Sequence, residues 1–385
     1  MGEAQVEVVC EGGPREMGFA QGAGLRQKIA GARDVLRRLE AFRLQQPWWL
    51  PYGLFRRLAE RKAGRLLAGP LSRHYPDLAE RLAGISEASG TPLNALYLLN
   101  ALEAFLSSVR ESTVVPPPSA CSAVAVRGGR SATGEPIIAR NFDYLPLVQP
   151  FFAMRDSRPK GRLRSVDFIV APLCGALDGV NERGLCITYN YAFTLDAGDP
   201  APTISMAIAD ALASCGTVAE ATARIASRPR WGSGILMLAD EAGDLASLEL
   251  SNTRSHVRRP GEGEDLIFHT NAFWCDAMRE VQIARDAVFA DAAPPALRGR
   301  RVLQSPELRD QRLRSLLSGS APLGPVELAR LMADHGPNGE PSDDTVCMHG
   351  SYWGTAACLQ LFPRSRRIRV AYEMPCRARY SEIAL

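Results

Sequence analysis

Three consecutive prolines, Pro116 to Pro118, constrain this chain more than any other feature. Proline has a fixed φ and no backbone N–H, so neither a helix nor a central strand runs through such a run. The stretch "VVPPPSA" therefore reads as exposed, extended and poorly packed. A cysteine, Cys121, follows at once and opens an apolar stretch. A linker between two packed regions accounts for this pattern. A chain that is cut before Cys121 accounts for it as well.

The two sides of the prolines differ in period. Residues 16–110 read as helical: Leu25, Ile29, Ala32, Val35, Leu36 and Leu39 recur at helical spacing. "TPLNALYLLNALEAFLSSV" continues the pattern, with Thr91 as an expected N-cap and Pro92 at the first helical position. Few strand signals appear before residue 114. After residue 121, short apolar runs bounded by Gly, Pro, Asn and Asp read as strands: "CSAVAV", "PIIARNFDY", "VDFIVAP", "GLCITYNYAF", "GILMLAD", "LASLEL", "HVRRP" and "DLIFHT". Helical patterns interrupt them at "TISMAIADALASCGTVAEATARIAS" and "PELRDQRLRSLLSG", and "ACLQLFP" with "RIRVAYEMP" forms a closing hairpin. Blocks of strands with helices between them predict an α+β fold or a layered α/β/β/α architecture.

Composition excludes several classes. The formal net charge is +3, from 45 basic and 42 acidic residues, which argues for neither a nucleic-acid nor a membrane-surface partner. The N-terminus has no basic segment followed by an apolar one, and no apolar run reaches transmembrane length. A cytoplasmic protein is the expectation. Nine cysteines are scattered without a CxxC, so most read as buried apolar residues and no metal or cofactor is expected. Cys347 and His349, in "CMH", are two potential ligands, and two do not make a site.

Cys121 stands apart. "CSAVAV" and "IIARNFDY" are joined by a turn-rich segment, and antiparallel pairing about its middle places Cys121 opposite a residue near 142. Arg140, Asn141 and Asp143 then return beside the thiol; a solvated rim of charges is the competing reading. A thiol needs a base at neutral pH. The five histidines, His74, His256, His269, His335 and His349, sit in no recognisable cysteine-protease signature. Were the Ala120–Cys121 bond broken, the freed α-amine, with an ordinary pKa of about 7.7–8.0, would be a base attached to the nucleophile itself.

These residues carry a resemblance. "CSAVAVRGGRSATGEPIIARNFDY" resembles the start of the mature chain of an N-terminal-nucleophile (Ntn) hydrolase, specifically the penicillin acyltransferase family (acyl-coenzyme A:6-aminopenicillanic acid acyltransferases). It is more distantly similar to the choloylglycine hydrolases. "GGPREMGFAQGAGLRQKI", "GVNERGLCITYNYAF", "IFHTNAF", "SPELRDQRLRSLL" and "SDDTVCMHG…TAACLQLFPRSRRIRVAYEMPC" follow in the family's order, over nearly the whole chain. The resemblance implies a four-layer αββα sandwich, with residues 1–120 as a helical propeptide (alpha-chain) segment and 121–385 as the catalytic core. It implies a self-processing N-terminal-cysteine amidohydrolase or acyltransferase. Cys121 would be the nucleophile, Asp143 would hold the freed amine, and Arg140 would surround the thiol. Asn190 would donate to the oxyanion; Asn271 would do the same or polarise the carbonyl. Arg309, with Arg312 as fallback, would complete the ionic network, and Ser305 lies four residues before Arg309. "HTNAF" has Ala272 where many members have His.

The expected partners are a small acylated substrate, with acyl-coenzyme A as a candidate donor, and no nucleic acid or membrane. The cleaved chains should stay together as a heterodimer, because the apolar faces of the first 120 residues need cover. Trp231, Phe193, Phe273 and Trp274 are candidates for an acyl pocket, and core packing explains them equally well. Two alternatives differ in class. A binding protein that retains the fold would keep an intact chain with no thiol labelling at Cys121. A Cys–His thiol hydrolase without self-cleavage would depend on His269 or His335.

Overall fold

Residues 6–107 and 119–385 are described by the structure, a computed structural model. The proline run lies outside the described residues, so its expected exposure is not addressed. The chain begins with strand β1 (Val8–Gly12) and continues through helices α1 (Pro14–Gly24), α2 (Arg26–Val35), α3 (Glu40–Arg43), α4 (Tyr52–His74), α5 (Pro76–Ser89), α6 (Leu93–Asn100) and α7 (Leu102–Ser107). The helical reading holds for residues 16–107, with a strand before it and one correction within it. β1 is a strand that the weak apolar pattern of "VEVVCEGG" does not announce. Its partner, which makes it a strand, lies about 150 residues away. Thr91 is also not a cap: Pro92 takes the capping position with an extended backbone, and α6 starts at Leu93.

α1 and α5 pack unusually closely because glycines remove the side chains between them. A Cβ on Gly18 would lie 1.9 Å from the carbonyl oxygen of Arg81, and one on Gly84 would lie 2.2 Å from that of Arg15. The crossing needs glycine at both positions.

The strands follow as β2 (Ser119–Val126), β3 (Ile137–Tyr144), β4 (Phe152–Pro159), β5 (Ser165–Val170), β6 (Asp178–Asn181) and β7 (Cys186–Tyr191). Helices α8 (Ile204–Leu212) and α9 (Val218–Ser227) come next, and a break before Thr217 divides what the sequence presents as one helical stretch. Thr217 caps α9 by accepting from the Glu220 N–H at 3.2 Å. Then come β8 (Gly234–Ala239), β9 (Leu245–Leu250), β10 (Ser255–Arg258), β11 (Leu266–His269), α10 (Asp276–Arg279), α11 (Gln304–Leu317), α12 (Pro325–Met332), β12 (Gly354–Phe362), β13 (Arg367–Ala371) and β14 (Ser381–Ala384).

Two sheets form. One has eight strands in the order β1-β4-β5-β6-β7-β8-β9-β10, the other six in the order β11-β2-β3-β12-β13-β14. They face each other, and alternation along β2 shows how. Cys121, Ala123 and Ala125 pack into the main core with residues of the eight-stranded sheet. Val124 and Val126 pack the other way, with Leu313 and Leu317 of α11 and Leu328, Leu331 and Met332 of α12. A strand covered on both faces reads as a continuous apolar run, as "CSAVAV" does. Between the sheets, Phe142 of β3 meets Phe152 and Phe168 at ring separations of 5.3 and 5.4 Å. On the far side of the eight-stranded sheet, Asn181 donates to the carbonyls of Leu212 and Cys215, tying β6 to the end of α8. The layers run helix, sheet, sheet, helix: the α+β, four-layer αββα sandwich expected from the sequence. No helix among the described residues is long and apolar enough to cross a membrane.

Candidate functional site

The register of β2 on β3 builds the site. Cys121 lies opposite Phe142, Ser122 opposite Asn141 and Ala120 opposite Asp143. The pairing is the one the hairpin spacing predicts. Strand alternation then sorts the neighbours by face. Cys121 and Arg140 point between the sheets, whereas Ser122, Asn141 and Asp143 point toward α11 and α12. The expectation that Asn141 sits beside the thiol is therefore corrected. Asn141 donates instead to the carbonyls of Met332 and Val346, at 2.9 and 2.8 Å.

Each polar atom of Cys121 is held by a different residue. Its Sγ accepts from Arg140 Nη2 at 3.2 Å. Its N–H donates to Asn271 Oδ1 at 2.9 Å. Its carbonyl accepts from Arg309 Nη1 at 2.6 Å. The residue itself is fully buried.

Arg140 is anchored by chemistry that the sequence reading did not name. Its Nη1 pairs with Asp178 Oδ2 at 2.7 Å, with both side chains buried. Its Nη2 also donates to the Tyr189 carbonyl, and its Nε reaches Asn190 Oδ1 at 3.4 Å. Asp178 in turn accepts from the Tyr189 N–H at 3.1 Å. It lies one residue before the "GVNERGL" segment, so its proximity to that motif is the only signal in the sequence.

Of Arg309 and Arg312, Arg309 is the one that reaches Cys121. On α11 its Nε donates to Ser305 Oγ one turn earlier, at 3.1 Å. Its two remaining nitrogens serve Cys121, Ser122 Oγ at 2.8 Å and Asn271 Oδ1 at 2.7 Å. The fallback, Arg312, points away into a pair with Asp334 at 2.6 Å. Asp143 lies 3.8 Å from Arg309 and accepts from Thr355 Oγ1 at 2.5 Å. The second carboxylate oxygen of Asp143 is buried without a hydrogen-bond partner. Thr355 reaches it because β12 carries a bulge there, with two residues opposing one. Ser122 and Thr355 were also missed, since a lone hydroxyl in an apolar strand has no pattern.

The two asparagines differ in orientation. A guanidinium only donates, so the Asn271 atom facing Arg309 is the carbonyl oxygen, which also faces the Cys121 N–H. Its Nδ2 donates to the Tyr191 carbonyl at 2.7 Å. Asn271 thus presents its carbonyl oxygen to Cys121 and Arg309, and one of its two amide hydrogens goes to the Tyr191 carbonyl. Asn190 gives one amide N–H to the Thr270 carbonyl at 3.1 Å. Its –NH2 group has a second hydrogen to donate.

Burial dominates the titration of these groups. It pushes the Cys121 thiol up to about 12, against the pull of the Arg140 guanidinium. It raises Asp143 to about 6, opposed by Arg309, the Thr355 hydroxyl and Arg140. It raises Asp178 to about 6 as well, opposed by Arg140. Both carboxyls stay ionised at neutral pH, whereas the thiol of the uncut chain is protonated.

Among the described residues, neither histidine of the Cys–His alternative forms a hydrogen bond with Cys121. His269 is paired through Nδ1 with Ser247 Oγ at 2.9 Å, and burial holds its ring well below the usual imidazole range. His335 stacks edge-on against His349 in another part of the molecule.

A cleft of about 880 Å³, including its open mouth, lies between the N-terminal helices and the sheets. Leu36, Leu99, Tyr144, Val170, Tyr189 and Trp231 are among its walls. Of the four aromatic candidates only Trp231 lines it. Phe193 is buried against Tyr191, and Phe273 and Trp274 border a separate cleft beside α11.

A family model described as acyl-coenzyme A:6-aminopenicillanic acid acyl-transferase matches residues 130–336, just over half of the chain. Three solved structures resemble the fold. The Caenorhabditis elegans N-acylethanolamine-hydrolyzing acid amidase ortholog is 13% identical, with 69% of this chain and 100% of that one covered and a TM-score of 0.43. Penicillin V acylase from Agrobacterium tumefaciens is 13% identical, covering 69% and 86%, with a TM-score of 0.39. A variant of conjugated bile acid hydrolase from Clostridium perfringens is 13% identical, covering 69% and 92%, with a TM-score of 0.40. No match was found among curated proteins.

Proposed function

Because the chain belongs to the acyl-coenzyme A:6-aminopenicillanic acid acyl-transferase family, we propose that it is a self-processing N-terminal-cysteine amidohydrolase or acyltransferase with Cys121 as nucleophile. The observation that carries this reading is the threefold hold on Cys121, with Arg140 on the sulfur, Asn271 on the nitrogen and Arg309 on the carbonyl. The nitrogen of the bond to be cut already lies in the site that would serve the mature enzyme.

Processing would begin when Sγ attacks the Ala120 carbonyl carbon. The thiol proton passes to the Cys121 nitrogen as the C–N bond breaks, leaving a thioester between Ala120 and Cys121 and a free amine. Water then hydrolyses the thioester, giving an Ala120 carboxylate and a free thiol. The new amine would be retained by Asn271 Oδ1 and by the Asp143 carboxylate, whose second oxygen has no hydrogen-bond partner in the uncut chain.

In turnover the α-amine of Cys121 would take the thiol proton as sulfur attacks the acyl carbon of the substrate. It would return that proton to the leaving amine or thiol. The free amide hydrogen of Asn190 would face the developing oxyanion, a type of contact worth about 3 kcal/mol per donor. Water or an amine would then resolve the acyl-enzyme. The apolar cleft by Tyr144 and Trp231 suits the acyl part of the substrate.

Mass and gel analysis tests the proposal directly. The wild-type chain should yield fragments of about 13 and 29 kDa, at roughly 110 Da per residue, and Cys121→Ala should give one uncut band. Cleavage that survives Cys121→Ala would overturn self-processing. Mass spectrometry of the mature chain with a panel of acyl amides and acyl thioesters should then detect an acyl adduct on Cys121.

A further inference from the structure

The segment between α12 and β12, which supplies His335, Cys347 and His349, meets the turn after β13, which supplies Cys376. One ligand atom from each lies within 4.8 Å of all the others. His349 Nε2 is 3.3 Å from Cys347 Sγ and 3.5 Å from Cys376 Sγ. The rings of His335 and His349 stand edge to face, 4.9 Å apart. We propose that these four residues form a structural zinc site of the Cys2His2 type, distinct from the catalytic centre.

The distances favour a metal over a casual cluster. With Zn–S at about 2.3 Å and Zn–N at about 2.0–2.1 Å, a tetrahedron has N···S edges of about 3.5 Å. Two such edges are present. His335 also has its Nε2 buried with no hydrogen-bond partner, which is costly for a polar atom unless something binds it. A set of two soft sulfurs and two imidazoles in tetrahedral reach selects zinc. A disulfide between Cys347 and Cys376 would use the sulfurs but leave both rings without a role.

Zinc binding would release two thiol protons and leave the histidines neutral, so the site would carry no net charge. Four protein ligands leave no open position for substrate, which makes the role structural. The site would staple a segment that backs the candidate active site. Met348, between two of the ligands, exchanges hydrogen bonds with Thr355: its N–H donates to Thr355 Oγ1 at 2.9 Å, and the Thr355 N–H donates to its carbonyl at 3.0 Å. Thr355 in turn holds Asp143. Spacing alone conceals the site, because His335 lies twelve residues before Cys347 and Cys376 arrives from the separate turn after β13.

The test needs no catalytic activity, so its result is separable from that of the proposed function. Protein purified without chelator and with reductant, both as wild type and as Cys121→Ala, is assayed for metal by mass spectrometry. About one zinc per chain is expected, falling at least tenfold in the Cys347→Ser/Cys376→Ser double variant. Cobalt exchanged into the wild-type chain should give the intense visible bands and thiolate charge transfer of a tetrahedral S2N2 site, a readout that does not depend on a variant folding. Zinc retained in full by the double variant would overturn the proposal. So would a reduced wild-type chain that takes up neither zinc nor tetrahedral cobalt, or a Cys347–Cys376 disulfide trapped by alkylation at lysis.

Discussion

At the scale of single residues, the behaviour of the site follows from how deeply its charges are buried. Asp143 faces Arg309, Thr355 and, at longer range, Arg140, and its carboxyl titrates near pH 6 in the uncut chain. It is ionised above that value and neutral below it. An ammonium forming at Cys121 during processing needs the ionised form. The self-cleavage rate should therefore rise with pH through about 6 and level off above it. The Thr355 hydroxyl stabilises the charged form, so Thr355→Val should raise the carboxyl pKa and move the acid limb to higher pH. A lost hydrogen bond to a charged group is worth about 1.5 kcal/mol, or about one pH unit. Half-times of self-cleavage between about pH 4.5 and 8 measure the limb; an unshifted limb in Thr355→Val would refute the assignment to Asp143. Cys121, Arg140 and Asp143 were legible because a hairpin relates them at short range. The orientation of Asn271 was not, since it is decided by a guanidinium 38 residues further along the chain.

At the scale of elements, two features shape the site. β2 runs unbroken through Ala120 and Cys121, so the bond proposed for cleavage lies within a paired strand rather than in the loop that the prolines imply. α11 delivers Arg309 because Ser305 lies one helical turn before it and can accept its Nε–H, a spacing visible in the sequence. The contact of α1 with α5 is equally exacting. Gly18→Val would press a branched side chain onto the Arg81 backbone, where even one carbon has no room. Overpacking of this kind costs about 1–3 kcal/mol or more. The urea midpoint of Gly18→Val should fall accordingly, while Gly69→Val, on an open face of α4, serves as the comparison. A Gly18→Val midpoint equal to wild type would show that the two helices can part without cost.

At the scale of the whole molecule, the described N-terminal residues, 6–107, are woven into the rest. β1 pairs in parallel with β4, from Val8 opposite Arg155 to Gly12 opposite Pro159. Gln21 of α1 donates to the carbonyls of Ala171 and Leu173 and accepts from the buried Arg155, itself paired with Asp167 at 2.9 Å. Processed fragments should accordingly co-elute in native gel filtration at the mass of the full chain and separate only in denaturant. Fragments that part under native conditions would contradict this.

The sequence by itself determined the helical character of residues 16–107, the strand-rich character beyond Cys121 and the β2–β3 register. All of these rest on local period or on chain returning over about twenty residues. Only the tertiary structure decided the strand character of β1, the partnership of Asp178 with Arg140, the place of Thr355 beside Asp143 and the gathering of His335, Cys347, His349 and Cys376. Each of these joins residues through distant strands and loops. The physical reason is that burial and pairing arise between elements, and spacing along a chain records only what lies within them.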